Sequence, residues 1–270
     1  MGRAMDTPLG RLSAVFPRQP KSRKRAMDTK DSAVWRIQEV IPETHDVTSL
    51  VIAGPEGATG VRERHPGQFA IIRVKTDDGW GEPHPFTISC ETGCDSLRFT
   101  IKSAGDFTST IRELKPGTEI RCDGPFGKFC SDIEDKDNIV MIAGGVGVTP
   151  FLSVLRTFRQ SQATNRMLLL WSNKTLTDAF ARDELEQISQ ELDLRVIHTL
   201  TREEPPEQTD TDRIMYRAGR IDGELIAVHA QLNTAAFYIC GPPAMQDAIK
   251  EQLARFGVAG EAIQTESFGG

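Results

Sequence analysis

The chain has 270 residues, 39% hydrophobic and 26% charged, which fits an ordinary globular protein with room for two domains and excludes a fibrous or disordered one. A net charge of −6 argues against binding to a phosphate backbone, where affinity comes from clustered Lys and Arg, so nucleic acid is not an expected partner. The five cysteines include no CxxC pair, which removes the usual zinc, iron–sulfur and disulfide-framework readings; no metal is expected.

Residues 1–32 read as a basic flexible tail, with Lys21, Arg23, Lys24 and Arg25 set among Pro and Ser and no apolar periodicity. The plain expectation is a solvated extension. The sharper one is peripheral contact with anionic lipid, worth about 1 kcal/mol per basic residue near the surface. No apolar run reaches the roughly 18 residues of a spanning helix, and no secretory apolar run opens the chain, so a cytoplasmic location is expected, with the face of a membrane as its variant.

From residue 33 the pattern is of short strands at 33–41, 47–53, 68–75, 84–89, 97–103 and 119–122, separated by turn residues, which predicts a small antiparallel barrel. One helix interrupts it at 106–114, where Phe107, Ile111 and Leu114 recur at helical spacing before Pro116-Gly117. After Asp137 apolar strands at 139–143, 167–171, 194–200 and 236–240 alternate with helical stretches, the signature of a parallel sheet flanked by helices. The expected domains are therefore 33–131 and 132–270.

Two strand ends in the second half carry chemistry. The strand from Ile139 runs into Gly144, Gly145, Val146 and Gly147, then Thr149 and Pro150. Glycines there let backbone approach a diphosphate, and a helix start supplies free N–H groups. Thr149 is expected as the helix cap and Pro150 as the first helical residue. The order is GxGxxP rather than GxGxxG, so the usual dinucleotide fingerprint does not transfer, and a turn serving only strand–helix packing is the alternative. The strand ending at Cys240 leads into Gly241 and Pro242 before a helix carrying Met245, Ile249 and Leu253. Ligands of open α/β sheets bind at carboxyl ends of strands, so both motifs should face one cleft.

Taken together, His84-Pro85-Phe86-Thr87, Gly105-Asp106-Phe107-Thr108, Asp123-Gly124-Pro125-Phe126-Gly127, the Ala143–Pro150 glycine loop, Cys240-Gly241-Pro242 and Glu266-Ser267-Phe268 resemble, in this order, the ferredoxin–NADP reductase superfamily. The His form of the first motif resembles the ferric-reductase and NADPH-oxidase branch. The resemblance implies a β + α/β architecture, an N-terminal antiparallel FAD-binding β-barrel followed by a parallel-sheet, Rossmann-like NAD(P)-binding domain.

It also implies roles. In most of the superfamily the flavin motif reads Arg-x-Tyr-Ser/Thr; here His84 stands in the phosphate position, Phe86 packs on the flavin and Thr87 addresses its N5. The loss of a permanent cation makes phosphate recognition weaker or pH-dependent, because His titrates near neutrality. Ile101 and Lys102 line the cofactor, and Gly105 and Thr108 cradle its diphosphate. Thr201, Arg202, Arg213 and Tyr216 resemble a pocket for an adenosine 2′-phosphate, which favours NADPH with NADH as alternative. Cys240 positions nicotinamide, with Glu266 and Phe268 near the flavin, so the catalytic set is Thr87, Cys240, Glu266 and Phe268.

The implied activity is hydride transfer from NADPH to FAD and electron release to a redox acceptor. That acceptor is a haem-bearing membrane protein, a ferredoxin-like carrier or a small molecule such as chelated iron. Relatives in that branch usually carry a haem-bearing membrane domain upstream, so the acceptor is expected on a separate partner, or residues 1–30 are the remains of such a junction. Two other readings stay open: a non-autonomous electron-transfer subunit, and a reductase that uses flavin as a diffusing substrate.

Overall fold

The computed structural model describes residues 33–55, 61–207 and 210–267, and Ser32–Gly270 forms one compact unit. The basic tail, the lipid contact assigned to it and Phe268 lie outside the described residues. Among those described, no helix is long and apolar enough to cross a membrane.

The first half is a seven-stranded antiparallel sheet built from β1 (Val34–Pro42), β2 (Val47–Ala53), β3 (Phe69–Thr76), β4 (Gly79–Trp80), β5 (His84–Thr87), β6 (Ser96–Lys102) and β7 (Glu119–Phe126). The path runs β4-β3-β7-β1-β2-β6, with β5 also on β3. An isolated antiparallel bridge from Ile88 to Phe99 carries the end of β5 round to β6 and closes the barrel. Strands of period two deliver Trp35, Ile37, Leu50, Ile52, Ile72, Leu97, Phe99 and Ile120 to its core while alternate positions face outward. The interrupting helix is α1 (Asp106–Thr110), continued by a 3-10 turn at Ile111–Glu113.

The second half is a six-stranded sheet of order β11-β10-β9-β8-β12-β13, every pair parallel. Its strands are β8 (Asn138–Gly144), β9 (Arg166–Asn173), β10 (Leu194–Leu200), β11 (Ile214–Ala218), β12 (Ala236–Cys240) and β13 (Ile263–Glu266). Near-continuous burial of β8, β9 and β10 reflects helices on both faces. Ile139, Met141, Ala143, Leu169 and Trp171 face α2 (Thr149–Ser161) and α3 (Arg182–Glu191). The alternating Val140, Ile142, Leu168, Leu170 and Phe237 face α4 (Gly223–His229) and α5 (Pro243–Arg255). Val47, Phe129 and Cys130 join the first of these clusters from the barrel side, so apolar packing crosses between the two sheets. Strands β11 and β13 are additions to the sequence reading: each is short and carries polar residues, leaving no apolar run to read.

Candidate active site

Parallel pairing fixes what meets at the carboxyl edge of the second sheet. β8 and β12 are neighbours, with Ala143 opposite Cys240, and β13 lies beyond β12 with Glu266 opposite Cys240. The glycine loop after β8 therefore sits against the Cys240-Gly241-Pro242 loop, one cleft edge made from two motifs. A Cβ on Gly147 would lie 2.4 Å from the Cys240 carbonyl oxygen, and one on Gly144 would lie 2.8 Å from Pro242 Cδ. These two glycines give up their side chains to the neighbouring loop. Gly145 differs: it has φ +53°, and nothing lies within 4 Å of where its Cβ would stand, so it leaves room for a ligand.

The helix start corrects the sequence reading. A 3-10 turn over Gly145–Val148 precedes α2, Val148 is the cap, and Thr149 and Pro150 are the first two helical residues. The Thr149 hydroxyl donates back to Val146 O at 3.0 Å instead of capping forward. No side chain caps α2; the Thr149 N–H bonds back to Val146 O and Pro150 has no N–H, so the first two helical positions offer no free donor.

Cys240 is fully buried, and burial together with the nearby Glu266 carboxyl pushes its thiol up, so it is a neutral thiol and not a nucleophile. Glu266 is itself pushed up to about 7 by burial, and its Oε2 has no hydrogen-bond partner. An acid raised toward neutrality by burial at the edge of the sheet is suited to holding or moving a proton. Sequence reasoning missed the side chain that fixes this corner. Gln246, buried on α5, donates to Gly241 O and to Glu266 O, each at 2.7 Å, tying the Gly-Pro loop to the end of β13. Trp171 was also missed; its indole N–H holds Gly145 O at 2.8 Å. Gln246 and Glu266, like Trp171 and Gly145, are 20 or more positions apart, so no local signal marks them.

On the barrel side β5 alternates: His84 and Phe86 are part-exposed and Thr87 is buried, with Pro85 exposed between them. His84 stacks on Phe107 with ring centroids 3.8 Å apart and an interplanar angle of 5°, so the two flavin motifs meet directly. Burial lowers the His84 pKa, opposed by Glu82, which leaves the imidazole neutral at pH 7. The Thr87 hydroxyl is buried with no hydrogen-bond partner. An orphaned hydroxyl of this kind costs stability unless a ligand takes it up, and it fits a flavin whose ring edge accepts a hydrogen bond.

Five of the expected site residues are already engaged within the protein. The Thr108 hydroxyl accepts the N–H groups of Ala104 and Gly105 at 2.8 and 2.9 Å and donates to Gly105 O, so it caps its own loop instead of standing free for a diphosphate. Ile101 is buried in the barrel core, and Lys102 is ion-paired to Asp46 at 2.6 Å. Arg213 precedes β11 at the amino end of the sheet, ion-paired to Asp193 at 2.8 Å beside a cleft of about 590 Å³. That end is opposite the glycine loops. Tyr216 lies in mid-strand, stacked on His198 at 5.0 Å. Thr201 and Arg202 do follow the carboxyl end of β10, where both backbone N–H groups bond back to the end of β9 and its following loop.

The two halves meet at Gly127. A Cβ there would lie 3.1 Å from the Phe69 ring and 4.0 Å from Glu266 Oε1, and Phe69 pairs with Thr87 across β3 and β5. Gln68 pins the spot by donating to Gly127 O at 2.9 Å. Phe69, paired with Thr87, and Glu266 thus both lie close to Gly127.

An antiparallel barrel joined to a parallel sheet whose carboxyl strand ends lie toward it is the architecture that the sequence resemblance implied. Residues 141–251 match the model of the oxidoreductase NAD-binding domain family. A flavohemoprotein of Bacillus subtilis is 27% identical over 229 residues, covering 84% of this chain and 57% of that protein. The FAD/NAD-binding domain of a nitric oxide dioxygenase from Vibrio cholerae superposes with a TM-score of 0.75 at 21% identity, covering 89% of this chain and 100% of that one. A ferredoxin–NADP⁺ reductase from Neisseria gonorrhoeae with bound FAD and NADP gives 0.70 at 20%, covering 87% and 97%. The chain is similar to proteins of the ferredoxin–NADP reductase-like FAD/NAD-binding superfamily. It spans about three fifths of the length of the flavohemoproteins it matches.

Proposed function

We propose that this chain is an FAD-dependent NAD(P)H reductase, with residues 33–131 holding FAD, residues 132–270 holding the nicotinamide dinucleotide, and electrons leaving for a separate acceptor. The observation that supports the reading is the close approach at Gly127 of Phe69, which pairs with Thr87 and its orphaned hydroxyl, and of Glu266, which pairs with Cys240. FAD, when bound, supplies the redox chemistry, taking hydride from nicotinamide and passing electrons on singly. The protein's part is orientation. Thr87 donates a hydrogen bond at the flavin edge, Glu266 holds or releases a proton beside the nicotinamide, and Cys240, fully buried, anchors the end of β12 that carries the Gly241-Pro242 loop.

NADPH is the favoured donor. Arg202 follows β10 at the carboxyl edge, no acid stands at Thr201 to select a free ribose, and no carboxylate forms an ion pair with Arg202 among the described residues. For the acceptor, the flavohemoprotein likeness and the His84-Pro85-Phe86-Thr87 motif both support a haem-bearing partner, ahead of a ferredoxin-like carrier or a ferric chelate.

One observation favours a second reading, in which flavin is exchanged as a substrate. The neutral His84 and the self-capped Thr108 leave the expected diphosphate site without a cation or a free hydroxyl. FAD titration followed by turnover with ferricyanide separates the readings. The reductase account expects FAD to stay bound through gel filtration and kcat/KM for NADPH at least ten times that for NADH. A colourless chain that reduces added flavin supports the second reading, and no turnover with either nucleotide overturns both.

A further inference from the structure

The loop after β5 holds a sulfur pair that the proposed reductase chemistry does not use. Cys90 Sγ and Cys94 Sγ are 3.1 Å apart, with Cys90 buried and Cys94 half-buried. Over them lies the guanidinium of Arg64, only 9% exposed, with Nη2 at 3.2 Å from Cys90 Sγ and 3.9 Å from Cys94 Sγ. Its other contacts are carbonyl oxygens, of Val61, Cys90 and Glu91. Among the described residues no carboxylate forms an ion pair with it. A buried cation without an acid calls for an anion close by, and the sulfur of Cys90 is placed to be one.

The surroundings of Cys90 agree. Its sulfur receives the Arg64 guanidinium and the Arg98 backbone N–H, the latter at 3.3 Å, and faces Cys94 Sγ, whose one S–H is shared between Cys90 Sγ at 3.1 Å and the carbonyl oxygens of Ser96 and Glu91 at 2.9 and 3.1 Å. The Cys94 hydrogen bond first, then Arg64 and Arg98, pull its pKa down to about 6 against burial and the Glu91 charge. Cys122, Cys130 and Cys240 are pushed the other way by burial and neighbouring acids. A low-pKa thiolate with a second thiol in contact is the arrangement that forms disulfides readily.

We propose that Cys90, Cys94 and Arg64 form a peroxide-reactive dithiol site. The Cys90 thiolate attacks one oxygen of hydrogen peroxide: an S–O bond forms, the O–O bond breaks, and the departing hydroxide takes a solvent proton to become water. The Cys94 sulfur then attacks the sulfenic sulfur, forming S–S and breaking S–O, and its proton leaves with the hydroxyl as a second water. Two sulfurs lose two electrons and the two peroxide oxygens gain them. The sulfurs need close by only about 1 Å to reach bonding distance.

The position gives the disulfide a structural consequence. The same loop holds the second half of the molecule: Ser153 Oγ of α2 donates to Cys90 O at 2.8 Å, Arg156 of α2 donates to Ser89 O at 2.6 Å, and Thr92 N–H donates to Thr157 Oγ1 at 3.0 Å. Closing the disulfide draws on the segment that docks α2 onto the barrel. None of this depends on the reductase reading.

The test is thiol mapping of the reduced full chain at pH 7. One equivalent of hydrogen peroxide should convert Cys90 and Cys94 to an intrachain disulfide that dithiothreitol reverses. Cys94→Ser should stop at a sulfenic acid on Cys90, trapped by dimedone. Without peroxide, iodoacetamide should alkylate Cys90 at least ten times faster than Cys240, and Arg64→Lys should retain that preference better than Arg64→Met. All five thiols remaining free after peroxide, or equal alkylation of Cys90 and Cys240 in the wild-type chain, overturns the proposal.

Discussion

Gly105 and Gly147 occupy the same place in the sequence argument, each the glycine of a loop read as cradling a diphosphate, yet the structure gives them opposite constraints. Gly147 is wedged against the next strand, with the Cys240 carbonyl carbon and oxygen 2.8 and 2.4 Å from where a Cβ would stand. Gly105 has φ −177°, an extended conformation open to any residue, and nothing within 4 Å. The dinucleotide loop is shaped by steric closure between two backbones, while the flavin loop is shaped by hydrogen bonds of one threonine hydroxyl. Glycine alone therefore says little about a phosphate site until its neighbours are known.

The contrast is broken most severely by Gly147→Ala. Backbone atoms cannot step aside cheaply, so the substitution should cost about 3 kcal/mol or more in urea unfolding. A loss under about 1 kcal/mol would show that the two loops are not interlocked.

Glu266→Gln probes the junction between the halves. With its folded pKa raised to about 7 by burial, Glu266 favours folding fully below its unfolded value of 4.5, and that contribution is lost as pH rises through 7. Wild type should fall in Tm relative to Glu266→Gln between pH 5 and 8, with the two closest near pH 4.5. Parallel curves across that range would mean that Glu266 is ionised in the folded chain throughout.

Thr108→Ala removes the hydroxyl that accepts two loop N–H groups and should cost about 1 kcal/mol, the usual value of a helix cap. Thr108→Ser should restore most of it. The smallest effect belongs to Gly105→Ala, expected within about 0.5 kcal/mol of wild type by the same unfolding measurement. If Gly105→Ala instead weakens FAD binding ten-fold without changing stability, then the loop does receive the diphosphate closely.

Period-two alternation made the barrel strands readable, and continuous apolar runs revealed the buried parallel strands from Ile139, Met167, Leu194 and Phe237. Short polar strands such as β13 left no such pattern, and the cap of α2 was misread because a 3-10 turn inserts between the glycines and the helix. Arg213 was misplaced because sequence distance after β10 does not tell which end of the sheet a residue returns to; β11 begins one residue later, at the amino end. The His84–Phe107 stack, the Gln246 clamp and the Arg64–Cys90 contact join residues 5 to 26 positions apart, across different elements. They follow from closure of the fold and leave no local motif.

The most direct test of the account is anaerobic stopped-flow mixing of the FAD-loaded chain with NADPH, comparing wild type with Thr87→Val and following the flavin's visible band. The account predicts rapid bleaching in wild type and a slowing of about ten-fold or more in Thr87→Val at unchanged FAD occupancy, since only the buried hydroxyl is lost. Full FAD occupancy with no bleaching by NADPH or NADH would contradict it.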